Sequence, residues 1–180
     1  MSQYIDPESI YAHFPANKSA PQRLIELLDW LDLSIDDTVG WFPEFTWTSL
    51  DWFFPPIDLS PYFGVFANLG DGSLLAYWFY EECDPRNPPI VVLGTDGELG
   101  VVADSVEELV ARITSGKFPD TCWADLMVSF YLYRDGSLFS NLWEWAKEIW
   151  GLTDDVRDQL TASQPGANHP NLEEWMARLE

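Results

Sequence analysis

The sequence predicts an α+β fold in which an antiparallel sheet of about four strands packs against helices from both ends of the chain. Three observations predict it: a strand-rich stretch at about 65–104, a capped amphipathic helix directly after it, and helical patterns from about residue 120 onward. At 180 residues the chain fits one domain with a substantial core. We therefore expect a single domain over residues 1–180, with its sheet core at about 65–104 and a helical extension at about 120–180.

The centre of the predicted sheet is the run at residues 73–81. Both of its alternating faces are apolar, and it includes Trp78. A strand with two apolar faces is typical of the middle of a sheet, where other elements cover both sides. Residues 65–69 are joined to this run by a turn containing Gly70 and Gly72, which predicts an antiparallel neighbour.

Two further short runs predict a hairpin. Ile90–Leu93 and Leu99–Ala103 are both apolar, and the segment between them contains Gly94 and Gly97. Glycine suits tight turns because it has no side chain to restrict its backbone angles. The hairpin brings the expected number of antiparallel strands to four.

A helix-start signal follows the last strand. After Asp104, Ser105 and Glu108 have the spacing of a capping box, in which each side chain satisfies a backbone N–H at the helix start. Apolar residues then recur at helical spacing until Gly116, a residue suited to the C-terminal stop. This pattern predicts a helix over about 106–115.

The flanking segments carry helical periodicity. Leucines recur at three- and four-residue steps after Pro21, which suits a first helical position. The apolar run at 122–133, the periodic run at 138–150 and the segments that begin at Thr153 and Asn171 predict the helical extension, with a turn-rich linker at 163–170. The apolar stripe of the 138–150 helix is expected at Leu138, Leu142, Trp145 and Ile149.

The chain is strongly and evenly acidic. It has 30 Asp plus Glu against 9 Lys plus Arg, a formal charge of −21, and each third of the sequence holds 10 of the acids. Nucleic acids and anionic membranes bind proteins through Lys and Arg, so this charge disfavours both as direct partners. A negative surface instead attracts basic proteins and accelerates their association.

No motif in the sequence predicts catalysis, a metal or a cofactor. His13 and His169 lie in turn-rich ends far apart, Cys83 and Cys122 have no CxxC spacing, and no phosphate-binding glycine loop is present. The first 14 residues contain acids where a signal peptide needs a basic start, and no segment reaches 18 uncharged apolar residues. We expect a cytoplasmic protein with reduced cysteines, no cofactor, no bound metal and no enzymatic activity.

Aromatic residues are concentrated at 41–66, where prolines break any regular element and predict a long ordered loop. Its rings can cover the core as a lid, or form an exposed surface whose acids meet a basic partner. A second acidic patch is expected where the central strand ends. The candidate partner-binding residues are the acidic pair Asp36 and Asp37, with Trp41, Glu44, Trp47, Asp51 and Trp52 from the aromatic segment and Glu81, Glu82 and Asp84 from the acidic patch.

Six short motifs follow one another between residues 66 and 109: Phe66-Ala67, Gly70-Asp71-Gly72-Ser73, Ala76-Tyr77-Trp78, Pro89-Ile90-Val91-Val92-Leu93-Gly94, Gly97-Glu98 and Val102-Ala103-Asp104-Ser105-Val106-Glu107-Glu108-Leu109. Their order resembles the SUKH superfamily, which includes yeast cell-wall-synthesis regulators and many bacterial immunity proteins. The resemblance implies an antiparallel sheet packed on helices. In bacteria it also implies a protein that binds and neutralises a cognate polymorphic toxin, frequently a nuclease.

The resemblance and the charge together predict a non-catalytic protein-binding module, namely an immunity protein that attracts a basic toxin and occludes it. A regulatory or scaffolding protein with a housekeeping partner is the alternative. A third hypothesis is an acidic carbohydrate-binding or glycoside-cleaving protein, with tryptophans as platforms and a pair of its many carboxylates as acid and base.

Overall fold

The computed structural model describes residues 14–34, 58–68, 73–95, 97–117 and 137–179. Within these ranges the chain is an α+β fold with a four-stranded antiparallel sheet and five helices, which confirms the predicted fold class. In chain order the elements are α1 (Gln22–Ser34), β1 (Phe63–Asn68), β2 (Leu74–Trp78), β3 (Ile90–Leu93), β4 (Leu99–Ala103), α2 (Val106–Ser115), α3 (Ser137–Trp150), α4 (Asp154–Ala162) and α5 (Leu172–Met176).

The sheet is a simple meander in the order β1-β2-β3-β4, with each strand antiparallel to its neighbour. Every residue of β2 and β3 is buried, so the prediction of central strands covered on both faces is confirmed. Strand β2 is shorter than the predicted 73–81. The chain turns away after Tyr80, where the Cys83 N–H donates to the Tyr80 carbonyl at 3.1 Å.

The two faces of the sheet belong to two separate cores. On one face, side chains such as Leu75, Tyr77 and Val92 pack with α1, α2 and α3. On the other face, Trp78 and its neighbours pack with Leu59 and with α5. The alternation along β2 that the sequence predicted therefore divides its residues between the two cores as expected. The last helix of the chain completes the second core.

The predicted capping box of α2 is present in a shifted form. The Ser105 hydroxyl accepts from the Glu108 N–H at 3.2 Å, and the Glu108 carboxylate accepts from the Asp104 N–H at 2.8 Å. In the usual capping box the carboxylate accepts from the N–H of the capping residue itself. Here the capping residue is Ser105, and the donor is the N–H of the residue before it. At the other end of α2, Gly116 has φ +69° and closes the helix in the left-handed conformation, as predicted.

The buried face of α3 differs from the expected stripe. Leu142 is buried as predicted and Trp145 is half-buried, but Ile149 is 55% exposed, and Trp143 and Ala146 are buried. The shift has a local cause, because the segment after α3 covers the Trp143 side of the helix. The Trp143 Nε1–H donates to Asp154 at 2.8 Å, and the Arg157 guanidinium lies over the Trp143 ring.

Several predictions concern residues outside the described ranges. These are the helix at 122–133, the turn glycines Gly70 and Gly72, the aromatic loop up to residue 57, and the side chain of Leu138. Among the described residues, no helix is both long enough and apolar enough to cross a membrane.

Candidate functional site

A groove of about 830 Å³ lies between the end of β2 and the C-terminal part of the chain. One wall comes from the turn after β2, and the other from the segment before α5 and from the residues that follow it. We call this cavity the Glu81 groove. Its lining residues are Tyr80, Glu81, Glu82, Asn168, Pro170, Trp175, Arg178 and Leu179.

The local sequence explains why these two walls meet. Asn171 caps α5 by accepting from the Glu174 N–H at 2.9 Å, and the helix then places Leu172, Trp175 and Met176 on the second face of the sheet. The end of β2 lies on that same face. The exposed side of the turn after β2 is therefore held next to the C-terminal residues.

Glu81 is oriented by a core residue. Its carboxylate accepts from the Trp175 Nε1–H at 3.1 Å, and Trp175 is itself buried. The hydrogen bond from Trp175 lowers the pKa of Glu81, and a backbone hydrogen bond at Glu81 and the nearby charge of Arg178 lower it further. Glu81 thus presents a charged carboxylate at neutral pH, in an orientation that the core defines, while the residue remains exposed to solvent.

A chain of three polar residues supports the same wall. The Tyr80 hydroxyl is 2.9 Å from His169 Nδ1, and His169 Nε2 lies 3.6 Å from the Asp104 carboxylate. Asp104 also accepts from the Gly166 N–H at 2.8 Å. Partial burial, with the nearby Cys83, Glu82 and Asp104, raises the pKa of Tyr80, so its hydroxyl stays protonated at neutral pH. These contacts join the residues after β2 and β4 to the 163–170 segment and hold that segment against the sheet.

Sequence reasoning missed this arrangement. His169 was set aside because it lies in a turn-rich segment, and its two partners are remote in sequence. Asp104 was assigned only to the start of α2, and Tyr80 only lay within the run at 73–81 that predicted the central strand. No periodicity or spacing relates the three positions, since it is the packing of α5 on the sheet that brings them together.

The predicted acidic patch after β2 is divided by the structure. Glu81 and Glu82 both line the Glu81 groove. Asp84 is not among its lining residues; it accepts from the backbone N–H and the guanidinium of Arg86 at 3.0 Å, which lowers the pKa of Asp84. Between them, Cys83 is a half-buried free thiol whose pKa burial raises to about 11. The exposed acids of the groove are thus a pair.

Those residues with predicted structural roles that lie in the described ranges occupy the turns and cores. Trp78 is fully buried against the Trp175 ring, at 5.2 Å between centroids. Gly97 has φ +92° in the β3–β4 turn, a conformation that favours glycine. Gly94 is needed for space, because a Cβ there would overlap Glu98. Glu108 has a further role that the capping pattern did not indicate, since it pairs with Arg112 in the interior.

The other predicted binding residues lie outside the described ranges. They are Asp36, Asp37, Trp41, Glu44, Trp47, Asp51 and Trp52. Within the described ranges, no group of three or more His, Cys, Asp or Glu side chains is placed to hold a metal ion.

The hydrogen bond between Trp175 and Glu81 has a measurable pH signature. Because the folded-state pKa of Glu81 is lowered, the contribution of this bond to stability is present above the unfolded-state pKa and is lost as pH falls through the folded-state value. We expect the Trp175 indole N–H resonance to titrate in NMR spectra with a midpoint below the ordinary glutamate pKa. In Glu81→Gln this titration should vanish. A midpoint at or above the ordinary value would contradict the assigned bond.

Comparison with models of protein families, with curated proteins and with solved structures finds no match for this chain. The SUKH resemblance remains a hypothesis based on the order of its motifs.

Proposed function

We propose that this chain is a non-catalytic protein-binding module, an immunity protein of the SUKH type that neutralises a basic bacterial toxin in the cytoplasm. The toxin is expected to be a nuclease, since a nuclease active site must attract phosphate and is therefore positively charged. The proposal is supported by the order of the SUKH-like motifs, by the formal charge of −21 and by the way the positive charges are used.

The observation that carries the proposal is that internal ion pairs occupy most of the positive side chains. Six of the eight lysines and arginines in the described ranges are within ion-pair distance of a carboxylate. The pairs are Arg23–Glu107, Arg86–Asp84, Arg112–Glu108, Lys117–Asp158, Lys147–Glu144 and Arg157–Asp154. The acids greatly outnumber the cations, so the chain keeps a large negative charge that internal ion pairs do not neutralise.

Neutralisation by such a protein requires affinity and geometry. A negative surface steers a basic toxin into encounter and raises the association rate above that of an uncharged pair. Once bound, the bulk of the domain covers the active site and its charge occupies the positive groove that phosphate would enter. No step needs a catalytic group on this chain.

Coexpression tests the proposal directly. We expect the chain to restore growth of cells that produce the toxin encoded by an adjacent reading frame, and to copurify with that toxin. A matched negative control is an unrelated toxin of similar charge, against which the chain should give no protection. Absence of both protection and copurification would refute the immunity function, and recovery of a housekeeping protein instead would favour a scaffolding function.

Salt dependence is a further prediction for the purified complex. Because encounter is driven by charge, the association rate constant should fall roughly tenfold or more between about 0.02 M and about 0.5 M salt. The dissociation rate should change much less, because close contacts determine it. Surface plasmon resonance or stopped-flow fluorescence of the tryptophans measures both rates. An association rate independent of salt would contradict electrostatic steering.

A further inference from the structure

We infer that the Glu81 groove is the place where the partner inserts an arginine side chain. The identity of the partner as a basic protein rests on the function proposed above, whereas the choice of groove and of arginine rests on the geometry of the described residues. Three features carry the inference: the pair of exposed carboxylates, one of them oriented by the core, the apolar residues in the walls and the rigidity of the site. The position of Arg178 supplies a test.

The two carboxylates match a guanidinium. Glu81 and Glu82 are adjacent in sequence, both are exposed, and both line the groove. The Trp175 indole holds one oxygen of Glu81, and this bond lowers the pKa of Glu81 and keeps it charged. Guanidinium is always charged at neutral pH and has five N–H donors in a planar fork, so it can bond two carboxylate oxygens at once. An ammonium group lacks this fork.

The walls of the groove match the rest of an arginine side chain. Between its charged end and its backbone, arginine has three methylene groups that are stabilised by contact with apolar surface. Tyr80, Pro170 and Leu179 supply such surface beside the two carboxylates. A volume of about 830 Å³ leaves room for this side chain and for part of its own backbone.

The site is held in place by the core, which reduces the ordering that binding requires. The Trp175 ring makes T-shaped contacts with Tyr62, Phe63 and Trp78, at centroid distances of 5.0, 6.1 and 5.2 Å. A second groove, of about 620 Å³ beside the β3–β4 turn, also contains carboxylates, from Glu98 and Glu173. Among the described residues, no indole lines that groove, which is why we assign arginine binding to the Glu81 groove.

Arg178 allows a test in which removing a cation and removing a carboxylate have opposite effects on arginine binding. Its side chain lines the same groove, is exposed, and is close enough to Glu81 to favour the charged carboxylate. A cation already present in the groove repels an incoming guanidinium. Removing it should strengthen arginine binding, while removing either carboxylate should weaken it. A groove that selected anions through Arg178 would show the reverse.

The experiment is an NMR titration of the whole chain with N-acetyl-arginine methylamide. We expect saturable shifts of the Trp175 indole N–H and of the Tyr80–Glu82 amides, with a dissociation constant on the order of millimolar. Glu81→Gln and Glu82→Gln should each weaken binding about two- to fivefold, and Arg178→Gln should strengthen it about twofold. N-acetyl-lysine methylamide should bind more weakly, and N-acetyl-aspartate methylamide should not bind.

The matched control is Glu148→Gln with Asp155→Asn. This double variant changes the net charge as much as Glu81→Gln with Glu82→Gln, but both of its positions are exposed and lie outside the groove. We expect it to leave arginine binding unchanged. Amide spectra of the free variants show whether each is folded, since all the substituted side chains are exposed.

Three results would overturn the inference. These are shifts spread over the whole acidic surface without saturation, an equal loss of binding in the control variant, or tighter binding of the aspartate compound than of the arginine compound. The outcome is separable from that of the proposed function. Toxin protection that survives Glu81→Gln with Glu82→Gln would refute the groove alone, whereas arginine binding without any toxin partner would refute the immunity function alone.

Discussion

Replacing Arg112 by methionine is expected to lower the free energy of unfolding by about 3–5 kcal/mol, because it leaves a carboxylate buried without its cation. Arg112 and Glu108 are only 2% and 3% exposed. Two guanidinium nitrogens of Arg112 lie 2.9 and 2.5 Å from one Glu108 oxygen. The same guanidinium donates to the carbonyls of Ser163 and Leu160, at 2.6 and 3.3 Å. The substitution therefore unpairs a buried charge and several backbone acceptors together.

Urea denaturation followed by tryptophan fluorescence measures this loss. Arg86→Met is the matched control, because Arg86 also pairs with a carboxylate but its side chain is 88% exposed, and exposed pairs contribute about 0–1 kcal/mol. The double variant Glu108→Gln with Arg112→Met should be more stable than Arg112→Met alone, since the uncompensated charge is removed. If Arg112→Met cost no more than Arg86→Met, the buried pair would have no special role in stability.

The Arg112 interactions also concern the functional site. They hold the end of α4 and the residue after it, from which the 163–170 segment continues to His169 and to α5. Arg112→Met should therefore loosen the wall of the Glu81 groove as well as the interior. Faster hydrogen exchange at the amides of residues 163–170 than in the Arg86→Met control would show this coupling.

Trp175→Ala is the second substitution with a large expected effect, a loss of about 3–5 kcal/mol in the free energy of unfolding. Trp175 is 4% exposed and fills the second core, where its ring contacts those of Tyr62, Phe63 and Trp78. Helix α5 is only five residues long, so its own backbone hydrogen bonds contribute little. Without the indole, little holds α5 on the sheet, and the groove loses one wall.

Thermal and urea unfolding of three variants separate packing from hydrogen bonding. Trp145→Ala is the control for tryptophan removal, because Trp145 is only half-buried on α3, and we expect it to cost clearly less than Trp175→Ala. Trp175→Phe keeps most of the ring contacts but deletes the N–H that orients Glu81. It should cost far less stability than alanine, yet weaken arginine binding as Glu81→Gln does. Equal losses in Trp145→Ala and Trp175→Ala would contradict the role of α5 in the second core.

The strands of the sheet and the start of α2 could be predicted from the sequence, because the residue patterns that produce them are local. Two apolar faces in β2, glycines between β3 and β4, and the Ser105 cap each reflect the immediate environment of a few neighbouring residues. These features predicted the number of strands and their antiparallel order. The ends of the elements were harder to predict. Strand β2 ends at Trp78 because the chain turns after Tyr80, although apolar residues continue beyond Trp78.

The buried face of α3 could be predicted from the sequence only in part. Spacing placed Leu142 correctly in the core, but the buried face is rotated from the expected stripe toward Trp143 and Ala146 and away from Ile149. Leu142, Trp143 and Ala146 belong to the same core cluster as the buried residues of α2, so packing against other elements sets the buried side. An amphipathic pattern indicates that a helix has an apolar side, and the neighbouring element determines the exact orientation of that side.

The sequence alone determines the fold class, the strand order and the helix starts, because periodicity and turn chemistry act over short distances. It also determines the excess of negative charge, which depends only on composition. The groove depends on pairs remote in sequence: Glu81 with Trp175, and His169 with Tyr80 and Asp104. Such pairs form only when α5 packs on the second face of the sheet. Side-chain hydrogen bonds have no period along the chain, so only the tertiary structure could join an acidic turn to a tryptophan 94 positions later.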